Sequence, residues 1–122
     1  MTAVPATSLA REDAAWLAGL LDGEGCFDSP RGNPRIRVKM SDHDVILRAA
    51  DVMGARTHLE TIPGRLPLLV AQLTGDRAVG VMRAVLPWLG ARRSARVTDI
   101  TLAQEERKRR PLRRVPALEL AS

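Results

Sequence analysis

The chain has 122 residues, a single cysteine, 45% hydrophobic and 27% charged residues and a formal net charge of +5. This is the composition of one soluble globular domain and not of a disordered chain, and no apolar run approaches the ~20 residues needed to span a bilayer. Cys26 alone leaves no internal disulfide or zinc cluster, and Met1–Ser8 lacks the pattern of a secretory signal, so a reducing, cytoplasmic setting is expected. The charge is uneven. Residues 1–90 carry ten bases and ten acids, whereas residues 91–122 carry nine bases against Asp99, Glu105, Glu106 and Glu119. A pI near 10.9 with clustered bases is the footprint of a polyanion binder.

Ser8 is the expected N-cap of a first helix with Glu12 and Asp13 near its first turn, ending by Gly23–Gly25. A short strand follows near Glu24–Asp28, then a turn over Ser29–Pro34. Arg35–Met40 alternates strictly and predicts a second strand. Ser41 or Asp42 caps a helix over His43–Met53, ended by Gly54. A second hairpin spans Arg56–Ile62 and Leu68–Leu73 around Pro63-Gly64, and Thr74 or Gly75 opens a third helix over Asp76–Leu86. Pro87-Trp88 closes that helix, a basic helical segment covers Arg92–Arg109, and Pro111 and Pro116 mark a mobile tail. The fold class is α+β, in the order αββαββα, with an antiparallel four-stranded sheet. The expected organisation is an N-terminal extension at 1–8, a domain at 9–95 and a basic extension at 96–122.

In the first helix Ala15, Ala18, Gly19, Asp22 and Gly23 fall at i, i+3, i+4, i+7 and i+8, one face nearly bare of side chains. Small residues allow two helix backbones to approach closely. Glycine inside a helix costs about 1 kcal/mol relative to alanine, so Gly19 requires a packing reason. Trp16, Leu17, Leu20 and Leu21 suit the domain's own core, leaving the small face for a second copy. An ordinary core helix with some alanines satisfies the same spacing. Glu24 stands at the end of this face between two glycines. It is either a solvated loop acid or, in a twofold pair, one of two carboxylates that repel unless a cation lies between them. Paired carboxylates beside a DNA backbone suit Mg²⁺-dependent phosphodiester hydrolysis.

The stretch Leu17-Ala18-Gly19-Leu20-Leu21-Asp22-Gly23-Glu24-Gly25 resembles the signature of the LAGLIDADG homing endonucleases, with Leu21 for Ile or Val, Gly23 for Ala and Glu24 for the second Asp. Leu86-Pro87-Trp88-Leu89 followed by Arg92-Arg93 resembles the family's third-helix end. The resemblance implies a homodimer joined through the motif helices, a saddle-shaped sheet on double-stranded DNA, and a divalent metal, Mg²⁺ or Mn²⁺, held by Glu24. It also implies a basic residue near the last strand that assists at the scissile phosphate. Leu68–Leu73 holds none, and Arg65, Gln72, Arg92 and Arg93 are the candidates to substitute; Gln72 and Arg92 join Glu24 as the expected catalytic set.

Arg35, Arg37 and Lys39 alternate with Ile36, Val38 and Met40, which makes one strand face wholly cationic and the other apolar. Random polar faces mix signs, so this one suits phosphate and guanine contacts. Arg31 and Asn33 in the adjoining turn, with Arg65, Arg93 and Arg96, complete the expected DNA-binding set. The bases of 107–114 are either a solvated tail or a clamp on flanking DNA. Cys26 is expected to be a buried strand residue, and His43 and His58 lack zinc-ligand spacing. No small-molecule cofactor or membrane contact is expected. Two other readings remain: a non-catalytic DNA-binding regulator or splicing maturase on the same scaffold, and a dimerisation module whose basic tail is incidental.

Overall fold

Four apolar residues at helical spacing, Ala14, Leu17, Ala18 and Leu21, sit on one side of the first helix, and packing selects that side. In the computed structural model, which describes residues 9–110, helix α1 (Arg11–Glu24) buries these four. Truncating Leu17, which is completely buried, would cost about 2–5 kcal/mol through lost contacts and a cavity. Its N-cap is Ala10, two residues later than expected, and the Ala10 carbonyl accepts from the Ala14 N–H at 2.9 Å. Ser8 and the tail from Pro111, with Arg113, Arg114 and Pro116, lie outside the described residues.

Strand β1 (Gly25–Asp28) leads through a tight turn at Pro30–Gly32 into β2 (Arg35–Met40). Arg31 adopts a left-handed φ of 54° in that turn, followed by Gly32 at 79°. Helix α2 (His43–Met53) starts at Asp42 and is closed by Gly54 in the left-handed conformation, φ 70°, whose N–H reaches back to Ala50 and Asp51. Strands β3 (Arg56–Glu60) and β4 (Leu68–Thr74) form the second hairpin, and helix α3 (Asp76–Val85) follows Gly75. A short turn at Leu86–Trp88 joins it to helix α4 (Ala91–Lys108).

The sheet is antiparallel throughout, in the order β1-β2-β4-β3. Phe27, Ile36, Val38, Leu69, Ala71 and Leu73 from one sheet face join Leu17, Leu21, Ile46, Met53, Met82 and Val85 from the helices in one core. The opposite face of the sheet carries the polar members of each strand together with the buried Val70. The α+β order αββαββα is therefore as expected, with one difference at its end. Helix α4 runs through residue 96 without a break, and Val97 and Ile100 are in the core. Residues 96–108 thus pack as part of the domain, because an amphipathic helix with two buried aliphatics needs that core to cover them. No helix among the described residues is long and apolar enough to cross a membrane.

Candidate nucleic-acid interface and helix seam

The small residues of α1 divide between two directions. Ala18 is wholly buried in the chain's own core, and Asp22 turns toward α4, where its carboxylate accepts from the Gly90 N–H. Neither belongs to an outward seam. The reason is that α1 presents Ala14, Leu17, Ala18 and Leu21 to the core, and Ala18 falls in the middle of that stripe. Ala15, Gly19 and Gly23 remain outward, one turn apart, and a Cβ added at Gly19 or Gly23 would meet nothing within 4 Å. Nothing in the described chain therefore requires glycine at these two helix positions. Trp16 and Leu20 are half-buried rather than central, and with Ala15, Gly19, Asp44, Val45 and Arg48 they line an outer groove of about 550 Å³. The Arg48 guanidinium lies 4.0 Å over the Trp16 ring, a cation–π contact at the groove's wall.

Glu24, the last residue of α1, is exposed and has no hydrogen-bonded or ionic partner among the described residues. Its position is fixed by Gly25. The Gly25 N–H closes the helix on the Leu21 carbonyl, and a Cβ at Gly25 would stand 2.7–2.9 Å from Leu21 atoms. No group of three metal-binding side chains exists among the described residues. One chain thus offers a hard dication a single free carboxylate here, since Asp22 is committed to Gly90. Oxygen donors from a second copy and from a phosphate would be needed to complete the set Mg²⁺ requires.

Beside Glu24, helix α4 packs its first turns against β1. Arg92, Arg93 and Arg96 line a cleft of about 250 Å³ with Gly25, Cys26 and Phe27. Arg93 donates through Nε to the Asp22 carbonyl at 2.8 Å, and Arg96 through Nε to the Phe27 carbonyl at 3.2 Å. These two arginines therefore tie α4 to the end of α1 and to the sheet's edge. Arg92 is exposed, has no acid partner among the described residues and borders the residue that follows Glu24. Gln72 is elsewhere. It pairs with Arg37 in the sheet's interior, two strands and about 10 Å from Cys26 at the usual strand separation. Of the expected catalytic set, Arg92 lines the cleft at Gly25, the residue after Glu24, and Gln72 lies two strands from β1. Cys26 is exposed, not buried, because its register opposite Arg37 puts it on the sheet's polar face.

That polar face is more mixed than β2 alone indicated. Arg35, Arg37 and Lys39 do share it, with Ile36 and Val38 buried beneath. The register, however, sets acids beside two of the three. Asp28 lies opposite Arg35, and its two oxygens accept from Nε at 2.9 Å and Nη2 at 2.6 Å. Lys39 reaches Glu60 at 2.9 Å. The Arg35 hydrogen bond holds the Asp28 carboxyl below its ordinary range, helped by the charges of Arg35, Arg37 and Arg96; Lys39 does the same for Glu60. Arg37 has no acid partner among the described residues.

Two further residues escaped the sequence reading. Arg56 and His58 on β3 project onto the same face, and the register aligns Cys26, Arg37, Gln72 and Arg56 in one row across all four strands. Strict alternation in Arg56-Thr57-His58 was their only local signal. Arg31 and Asn33 are exposed at one end of the sheet, whereas Arg65 is exposed on the β3–β4 turn at the other. The basic end of α4 is largely paired: Lys108 with Asp76, and Arg109 and Arg110 with Glu106.

No protein-family model and no curated protein matches the sequence. Solved structures do match. The homing endonuclease I-CvuI, in complex with its target, is 17% identical over 75% of this chain and 65% of its own, with a TM-score of 0.58. The group I intron-encoded homing endonuclease I-CeuI, complexed with DNA, is 15% identical over 88% and 62%, TM-score 0.57. The homing endonuclease I-TnaI is 16% identical over 80% and 76%, TM-score 0.54. The chain thus spans less than two thirds of the length of I-CvuI and I-CeuI. Taken with the αββαββα order and the antiparallel sheet, these matches show that the chain has the fold of the LAGLIDADG homing endonucleases.

Proposed function

We propose that the chain is a homodimeric, divalent-metal-dependent endonuclease that binds double-stranded DNA on its polar sheet face and cuts it beside Glu24. The observation that carries this reading is the outward row Ala15, Gly19 and Gly23, which ends at an exposed Glu24 with no partner among the described residues, next to the cleft that Arg92 lines. A second copy packed on that row supplies the reason for two helix glycines whose Cβ positions are empty. It also brings a second Glu24 to the seam. Two carboxylates there repel each other, and a divalent cation offsets that repulsion.

Glu24 would hold Mg²⁺ or Mn²⁺, the sheet would set the duplex in register, and Arg92 would place a guanidinium against the charge that grows on the phosphate. When bound, the metal supplies Lewis-acid stabilisation and a more acidic water. Arg37 and Arg56 donate to the phosphodiester backbone or base edges without competition from an acid among the described residues. A binding-only regulator or maturase on the same scaffold is favoured by β4, which brings no cation to this face.

Incubating the wild-type chain and Glu24→Gln with a fragment library of source DNA and Mg²⁺ separates these readings. Cutting by wild type alone is the expected result. Duplex binding without cutting by either protein supports the regulator, and equal cutting by both removes Glu24 from the reaction.

A further inference from the structure

The bidentate pair Asp28–Arg35 differs from every other ion pair on the sheet face. Arg35 meets both carboxylate oxygens through its Nε–Nη2 side, at 2.9 and 2.6 Å, and both side chains are only about a quarter exposed, 22% and 25%. Lys39–Glu60 is a single contact between more exposed groups and involves a point charge, not a fork. A guanidinium has five N–H donors. With one side of the fork taken, Nη1 and the second hydrogen of Nη2 remain, and they point together away from the carboxylate. This end-on pair of donors matches the O6 and N7 acceptors of guanine in the major groove. An arginine without a carboxylate partner has no such restraint, and the nearest strong acceptors on DNA are phosphates.

We propose that Asp28 and Arg35 form a base-reading unit in which Arg35 selects a guanine and Asp28 is a positioning residue that holds the fork toward the base edge and away from phosphates. The inference rests on the DNA-binding reading above. It has an unusual consequence. Asp28 lowers affinity for DNA in general, because it sets a negative charge against the duplex, while raising discrimination at one position of each half-site. A carboxylate that merely supported the β1–β2 hairpin would lower affinity through the same charge but add no discrimination.

The test is enrichment of bound duplexes from a random-sequence library by the full chain, in Ca²⁺ so that binding alone is read, for wild type, Asp28→Asn and Arg35→Lys. Wild type should enrich a site with one guanine per half that is preferred by about 10-fold or more. Asp28→Asn should lose that preference, keep the remaining positions and bind a scrambled duplex more tightly. Arg35→Lys retains the charge without the fork, and should lose the same position with no gain on scrambled DNA. Thermal melts of each variant establish that the fold is intact. A wild-type consensus left unchanged by both substitutions overturns the base-reading unit and spares DNA binding. Failure of wild type to enrich any duplex overturns both.

Discussion

The carboxylate of Asp22 sits at the N-terminus of α4, with the Gly90 N–H 3.1 Å from each of its oxygens, across 68 residues of sequence. Helix α4 has no side-chain cap of its own, and its first N–H groups and the positive end of its dipole face this acid. Arg93, whose Nε donates to the Asp22 carbonyl, closes the same junction from the helix side. Asp22→Ala should therefore destabilise the fold by about 1 kcal/mol, the usual effect of losing a capping acid. In a domain of this size that is a fall of roughly 3–5 °C in Tm. A thermal melt checks it; an unchanged midpoint would show that the junction contributes nothing.

Two glycines of the motif should respond in opposite ways. Gly25→Ala forces a Cβ into Leu21, where even the backbone is within 2.9 Å, and should cost about 1–3 kcal/mol. Gly19→Ala meets open space and gains helix propensity, so the isolated chain should become about 1 kcal/mol more stable. If a second copy packs on Gly19, the same substitution weakens self-association. Melts at low protein concentration and sedimentation at high concentration read the two effects separately.

The Asp28–Arg35 pair should also leave a mark on acid stability. Its hydrogen bond to Arg35 depresses the Asp28 carboxyl below its ordinary 3.8, so the folded state binds that proton less readily than the unfolded state. Stability from this group is therefore present above about pH 4 and fades as pH falls through the depressed value. Wild type should exceed Asp28→Asn at neutral pH by a small margin, since the pair is partly exposed. Denaturant titrations should show the two converging as the pH falls below the ordinary carboxylate range. A margin that persists in acid would assign it to packing and not to the charge.

On the DNA face, Arg37 and Arg92 should separate binding from chemistry. Arg37→Ala should weaken duplex binding and reduce the salt slope by about 1, as for loss of one phosphate contact. Arg92→Ala should leave binding within a few-fold but slow cutting by about 10²–10³, the usual range for one charge-stabilising donor. Gln72→Ala should not slow the cutting step, since Gln72 lies two strands from β1. Filter binding over a salt series and single-turnover cleavage supply the two readouts.

Local pattern made much of this architecture legible. The alternation of Arg35–Met40, the stripe over His43–Met53 closed by Gly54 and the Gly-flanked Glu24 all express side-chain directions that a strand or helix imposes on near neighbours. Tertiary packing decided what stands opposite those residues. Helix spacing placed Ala18 beside both Gly19 and Leu17, and only the site of the core assigned it inward. Alternation made β2 cationic, but strand register brought Asp28 and Glu60 to neutralise two of its three bases and Arg56 to extend the third. β1 has only four residues, too few for alternation to orient Cys26. Nothing within the sequence around Glu24 points to Arg92. The placement of Arg92 at Gly25 depends on α4 folding back along β1, a contact between segments that lie far apart in the chain and share no local constraint.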